Sequence, residues 1–193
     1  MTQQSNIANF SNTATVPSAA RAGRAIGAMF FSVFGCAWIS NWAQASHPSN
    51  WSLLISVVLI GLLLLLCAIT VYRHNKAAVD MIDPVQKKNT DSRFHIVNVG
   101  QWVAILITVN VLNNVGKPEW AIPAVIFIIG AHFMPLAHLF RYFPHYVSGI
   151  ALMAWAIAYP WLSVAGPASA IGSLGIGLIL WVSAVYALTR KAE

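Results

Sequence analysis

Residues 51–72 read WSLLISVVLIGLLLLLCAITVY and contain no charged side chain. An α-helix needs about 20 consecutive apolar residues to cross the hydrocarbon core of a bilayer, so this stretch predicts a transmembrane helix. Residues 21–193 contain five further apolar stretches of similar length, at about 24–42, 94–113, 120–140, 145–164 and 169–189. We therefore expect an all-α, polytopic membrane protein with a bundle of six transmembrane helices in one domain, residues 21–193.

The composition excludes an ordinary water-soluble domain. Hydrophobic residues make up 58% of the chain and charged residues 8%, and the mean hydropathy is +0.68. A soluble domain carries roughly a quarter charged residues. Residues 1–20 are rich in Ser, Thr, Asn and Gln and predict a disordered cytoplasmic tail. Little length remains for a separate soluble catalytic domain, so any chemistry must lie in the bundle or at its rims.

The basic residues predict the orientation of the bundle. With six spans, only Lys117 falls on one side of the membrane. The other side receives Arg21, Arg24, Arg73, Lys76, Lys87, Lys88, Arg93, Arg141, Arg190 and Lys191. Because Lys and Arg accumulate in cytoplasmic loops, we expect both termini in the cytoplasm. The net charge of +6 indicates no nucleic-acid partner, since these residues mark helix ends rather than a basic face with aromatic residues.

Two features leave alternatives open. Arg21, Arg24, the following apolar stretch and Ala43-Gln44-Ala45 resemble a signal peptide, whose cleavage would leave five spans. A shift of 69 residues aligns Asn41 with Asn110, Trp51 with Trp120, Ile60 with Ile129 and Gly61 with Gly130. This internal similarity is compatible with three tandem hairpins and also with chance similarity between apolar segments.

The candidate ligand-binding residues form a predicted polar core. No Asp, Glu, Lys or Arg lies in the middle of a span, which leaves histidines and amides as the candidates. On one broad side of the third span lie His95, Asn98 and Gln101. In the fourth span Pro135 frees the carbonyl of Ala131 beside His132. The alternative is a kinked helix whose polar groups only bond neighbouring helices.

A second candidate site lies at the cytoplasmic rim. His95, His138, Arg141 and His145 fall near the cytoplasmic ends of the third, fourth and fifth spans, where they could bind an anionic headgroup or a phosphate-bearing ligand. Interfacial anchoring is the alternative. We expect no cofactor. A haem ligated by His95 and His138 is geometrically allowed and is the alternative.

The remaining patterns assign neither a metal site nor a catalytic residue. His132 and His138 are about 120° apart on a regular helix and cannot share one metal ion. Cys36 and Cys67 lie at different depths, so they predict buried thiols and no disulfide. The absence of a nucleophile–base or carboxylate pair favours a non-enzymatic protein.

The stretch between spans two and three, residues 71–93, is the largest soluble piece predicted. Residues 77–82 suggest a short interfacial helix that ends at Asp83-Pro84. A solvated connector beside anionic lipids and a docking site for a soluble partner are both compatible with this stretch.

Residues 130–141, GAHFMPLAHLFR, resemble a motif of small uncharacterised bacterial integral membrane proteins. The resemblance implies a multi-pass protein of the bacterial plasma (inner) membrane and implies no activity. Our leading functional hypothesis is binding or passage of a small solute or lipid through the polar core. The alternatives are a non-catalytic membrane partner or assembly factor that acts through residues 73–93, and a histidine-ligated haem protein or intramembrane enzyme. The oligomeric state is left open.

Overall fold

The computed structural model describes the backbone of residues 2–79, 81 and 84–190, and side chains from Ser18 onward within those ranges except at positions 84, 86 and 87. This part of the chain contains no strand and six α-helices: α1 (Thr2–Ser46), α2 (Trp51–Val79), α3 (Pro84–Asn114), α4 (Ala121–Phe140), α5 (Pro144–Leu162) and α6 (Ile171–Thr189). Short 3-10 helices precede α4 (Pro118–Trp120) and α6 (Gly166–Ala168). The all-α prediction and the number of helices are confirmed.

Five of the helical segments are long and apolar enough to cross a membrane, namely 18–46, 51–79, 88–114, 118–140 and 171–189. The exception is α5, which carries no charge but is less hydropathic than the others. His145 and Tyr146 at its start, and Tyr159, Pro160 and Trp161 at its end, lower its hydropathy. The structure is therefore compatible with a multi-pass membrane protein.

The first three helices extend beyond the predicted spans. The helical backbone of α1 begins at Thr2, whereas composition predicts a disordered tail over residues 1–20. The predicted loop at 71–93 is mostly helical, because α2 continues to Val79 and α3 begins at Pro84. The expected interfacial helix at 77–82 is therefore wrong for residues 77–79, which continue α2, and residues 80 and 82 lie outside the described residues. Pro84 has no N–H to leave unpaired and suits the first position of a helix. The polar residues on either side of the apolar segments thus continue α2 and α3.

The helices pack in an order that differs from the chain order. α1 packs along both α2 and α6, α6 contacts α5, α5 packs on α4, and α4 packs on α3. Consequently α1 and α6 lie inside the bundle, while α2 and α3 form its two margins. Within the described residues, α2 and α3 follow one another along the chain without extensive packing between them.

Glycines set the closest helix crossings. A Cβ atom on Gly149 of α5 would lie 2.6 Å from the carbonyl oxygen of Gly130 on α4, and one on Gly177 of α6 would lie 3.0 Å from that of Gly35 on α1. Small residues let helix backbones approach in this way. Gly61 and Gly130, which a shift of 69 residues aligns, pack differently. Gly61 meets Cys36 on the preceding helix, and Gly130 meets the following helix.

Cross-contacts define the two ends of the bundle. Arg24 of α1 donates from Nη1 to the carbonyl oxygen of Arg190, just beyond α6, at 3.4 Å. We call this the basic end. At the opposite end, the rings of Trp120 and Trp161 lie 6.5 Å apart. Because Tyr142, just before α5, contacts Arg24 and Trp161 lies near the end of α5, this helix also runs from one end to the other.

Several polar side chains inside the helices bond to their own helix. Ser56, Thr70, Asn110 and Thr189 each donate to the carbonyl four residues earlier, at 2.8–2.9 Å. Such bonds cap polar groups without water. They suit helices surrounded by lipid, where no solvent could replace them.

Candidate functional site

Two arginines and two tyrosines from distant parts of the chain meet at the basic end. The guanidinium of Arg24 lies over the ring of Tyr142, 5.7 Å from its centroid. The guanidinium of Arg190 lies 5.5 Å from the centroid of Tyr186, and its Nη1 donates to the Tyr186 hydroxyl. With the bond from Arg24 to the Arg190 carbonyl, these contacts join α1, the α4–α5 turn and α6. We call the four residues the Arg–Tyr cluster.

A left-handed turn places Tyr142 in this cluster. Arg141 ends α4 with φ of 48°, and its N–H donates to Ala137 and His138. The N–H of Tyr142 then bonds the Ala137 carbonyl at 3.1 Å. A residue other than glycine rarely adopts this conformation. It reverses the chain at once, so that α5 starts beside α4 and Tyr142 lies between α4 and α1.

The Tyr142 hydroxyl is a buried polar group. It makes no well-formed hydrogen bond within the described residues. Burial raises the pKa of the Tyr142 phenol, and the positive charge of Arg24 partly opposes this shift. The phenol is therefore neutral at physiological pH, and its O–H can donate a hydrogen bond to an anion.

His145 lies beside this cluster in an aromatic cage. Its ring is 5.0 Å from that of Tyr142 and stacks on Phe133 at 5.7 Å. Phe31 of α1 and Phe140 of α4 complete the cage at 5.9 and 6.3 Å. The cage therefore holds together α1, α4 and α5 just inside the basic end.

The residues of the predicted polar core lie on α3 and α4, which pack together. His132 faces α3, where its imidazole interacts with the backbone of Val97, and it is also close enough to His145 to interact electrostatically. His95 is exposed on α3, and Asn98 and Gln101 are half-buried there. The spacing along the chain did not indicate that His132 would lie near His145.

The predicted rim residues also divide. His145 is half-buried in the cage, whereas His138 and Arg141 are exposed. Within the described residues, no group of three His, Cys, Asp or Glu side chains is placed to hold a metal ion.

Sequence reasoning missed the polar contacts that join α6, and the short helix before it, to their neighbours. Asn41 of α1 donates to the Ser173 hydroxyl at 2.9 Å, and the hydroxyls of Ser148 and Ser183 lie 2.8 Å apart between α5 and α6. Tyr159 donates to the Pro167 carbonyl at 3.1 Å.

A cavity of about 560 Å³ lies at the opposite end, against residues 47–52 between α1 and α2. It is open to the surroundings and contains none of the predicted site residues. The Asn50 side chain there accepts from Ser52 and from the N–H of Leu53 at 2.8 and 3.0 Å. These bonds cap the start of α2.

Comparison with known protein families, curated proteins and solved structures gives no match to this chain. The resemblance of residues 130–141 to bacterial membrane proteins therefore stays a prediction.

Proposed function

We propose that this chain is a multi-pass protein of the bacterial inner membrane that binds an anionic group at the cytoplasmic end of its bundle. The ligand chemistry is a phosphate, either in a lipid headgroup or in a small solute. The observation that carries the proposal is the Arg–Tyr cluster, which collects two guanidinium groups and a buried phenol from three separate parts of the chain.

The chemistry of the cluster favours phosphate. Guanidinium groups offer several N–H donors in a plane and bind phosphate oxygens in pairs. The Arg24 and Arg190 side chains are held beside aromatic rings, so less conformational entropy is lost on binding than for mobile side chains. Tyr142 adds a neutral O–H donor beside Arg24. The binding site we propose therefore lies at the basic end, beside His145. It differs from the polar core on the third and fourth spans that the sequence predicted.

The membrane orientation has separate support. In the topology expected from the sequence, ten of the 11 Lys and Arg residues fall on the same side as Arg24 and Arg190, which the positive-inside rule assigns to the cytoplasm. Anionic lipids are abundant at that surface and attract basic residues. A lipid phosphate would thus be present at the depth of the cluster.

Binding by purified protein in detergent tests the proposal. Retention of phosphatidylglycerol, followed by native mass spectrometry, reports a headgroup ligand, and isothermal titration with inorganic phosphate reports a free one. Because a hydrogen bond to a charged group contributes about 1.5–3 kcal/mol, we expect Arg24→Gln and Arg190→Gln each to weaken binding of the preferred probe by roughly tenfold or more.

Two control variants give the result its meaning. Arg73→Gln removes the same charge from an exposed site on α2, and His132→Ala removes the imidazole that faces α3. Both should bind like the unmodified protein. Equal losses for Arg73→Gln and Arg24→Gln would reduce the site to general basic attraction and refute the proposal, as would binding of neither probe.

A further inference from the structure

The exposed surface of α6 is a narrow strip. Within residues 172–188, every residue is buried or half-buried except four. These four are Leu178 (47% exposed), Val182 (68%), Val185 (44%) and Tyr186 (38%). The other three are three or four residues from Val182, so all four lie on one side of the helix. We call them the α6 strip.

The helices α1 and α5 border the strip on its two sides. Trp181, the residue before Val182, donates from its ring N–H to the Ser32 carbonyl of α1 at 3.2 Å. Ser183, the residue after Val182, has its hydroxyl 2.8 Å from that of Ser148 on α5. Because successive residues of an α-helix point about 100° apart, Val182 projects between these two contacts. The strip therefore runs between α1 and α5.

The Arg–Tyr cluster lies at one end of the strip and joins the same three helices. Arg24 belongs to α1, Tyr142 lies just before α5, and Arg190 follows α6. The Arg190 guanidinium contacts Tyr186, which is part of the strip, so its positive charge lies where the apolar surface ends. A molecule with a phosphate head and an apolar tail would complement both the charge and the surface.

The length of the strip fits one leaflet of a bilayer. Along the axis of α6, Val182 and Leu178 lie about 12 and 18 Å from Arg190. Half of a hydrocarbon core is roughly 15 Å thick. An acyl chain attached to a phosphate at Arg190 would therefore pass Val182 and reach the neighbourhood of Leu178. A free phosphate, by contrast, would contact only the cluster.

We propose that the phosphate bound by the Arg–Tyr cluster belongs to a phospholipid, with an acyl chain that lies along the α6 strip between α1 and α5. The inference rests on the anion site proposed above, and it selects a lipid over a free solute as the source of the phosphate. The head contributes charge-assisted hydrogen bonds, and the chain contributes many small dispersion contacts.

Competition by a deacylated headgroup tests the source of the phosphate. The purified whole chain in detergent is loaded with phosphatidylglycerol, and native mass spectrometry counts the bound lipid after addition of glycerophosphoglycerol or inorganic phosphate at the concentration of the lipid. We expect the lipid to stay bound, because neither competitor can contact the strip. Displacement of half of the lipid by either competitor would show that the acyl chain adds nothing and would overturn the inference.

Tryptophan substitutions test where the acyl chain lies. Val182→Trp and Leu178→Trp place a bulky ring on the strip, and the controls Val99→Trp and Leu62→Trp place it on α3 and α2. The valines are 68% and 61% exposed, and the leucines are both 47% exposed. Because the ring obstructs the chain, each strip variant should retain phosphatidylglycerol roughly fivefold more weakly, equivalent to about 1 kcal/mol. Each control should bind like the unmodified protein.

The inference and the anion site fail in different ways. Equal lipid retention by the strip variants and their controls would overturn the placement of the acyl chain. Binding of inorganic phosphate that is lost in Arg24→Gln would then leave the anion site in place. Conversely, equal retention of phosphatidylglycerol by Arg24→Gln and the unmodified protein would refute the anion site and the inference together. Melting temperatures show that each variant is folded, and Leu178→Trp decides the outcome if Val182→Trp unfolds.

Discussion

The close crossing of α4 and α5 gives the sharpest prediction about stability. A methyl group added by Gly149→Ala would lie 2.6 Å from the carbonyl oxygen of Gly130 and 3.0 Å from Cβ of Phe133. The first of these atoms belongs to the backbone, and the second is the first carbon of a side chain. Neither can move without its helix, so α4 and α5 themselves must move apart. Overpacking of this kind costs about 1–3 kcal/mol.

The expected effect is a clear loss of thermal stability. For a chain of this size, each kcal/mol lowers the melting temperature by about 2–4 °C, so Gly149→Ala should melt roughly 2–12 °C below the unmodified protein in the same detergent. Gly149 lies four residues after His145, on the same side of α5. A displaced α5 should therefore also disturb the stacking of His145 on Phe133.

Gly27→Ala is the matched control for this experiment. Gly27 lies within α1, and a Cβ there would meet nothing within 4 Å. Because Ala is favoured over Gly inside a helix by roughly 0.5–1 kcal/mol, this variant should melt at the same temperature or slightly higher. Equal behaviour of the two variants would show that α4 and α5 do not cross closely at Gly149, and would refute the reasoning.

Two further predictions concern hydrogen bonds and pH. Since burial raises the pKa of Tyr142, folding favours its protonated form, and the stability this provides should be lost as the pH rises past the ordinary phenol value of about 10 and through the raised value. Tyr142→Phe should flatten this alkaline decline in melting temperature, and an identical decline would contradict the burial. For the Asn41–Ser173 bond, a double-mutant cycle with alanine should give a coupling energy of about 0.6 kcal/mol. Additive single losses would show that the bond contributes nothing.

The pairing of α1 with α6 has a consequence for assembly of the bundle. α6 completes the contacts of α1, through Asn41 with Ser173 and through Trp181, whose ring N–H donates to the Ser32 carbonyl at 3.2 Å. The Arg–Tyr cluster also needs residues from both helices. The proposed anion site can therefore form only after α6, the last of the helices in the described residues, has packed.

The sequence predicted the helices well because the signals are local. The expected ends of the fourth, fifth and sixth spans lie within about two residues of α4, α5 and α6. An apolar run long enough for a bilayer must bond its own backbone, and a helix does so within the segment. The boundaries of α1, α2 and α3 were predicted less well, because polar flanks can continue a helix beyond any apolar limit.

The candidate site was predicted in part. His145 was placed at the correct end of the bundle from its position along the chain, but its cage of Phe31, Phe133, Phe140 and Tyr142 was not. In the predicted core on α3 and α4, His95 is exposed, whereas Asn98 and Gln101 are half-buried on α3. Ligand binding by these residues stays a prediction.

The amino-acid sequence by itself determined that this chain forms long apolar helices and that its basic residues gather at alternate helix ends. Both properties follow from the sequence of each segment taken alone. Only the tertiary structure decided that Arg24 meets Arg190 and that α3 lies at the margin of the bundle. In an apolar environment, apolar surface gives helices little preference for one neighbour over another. The choice of neighbours therefore depends on glycines that fit and polar groups that pair, which belong to segments far apart in the chain.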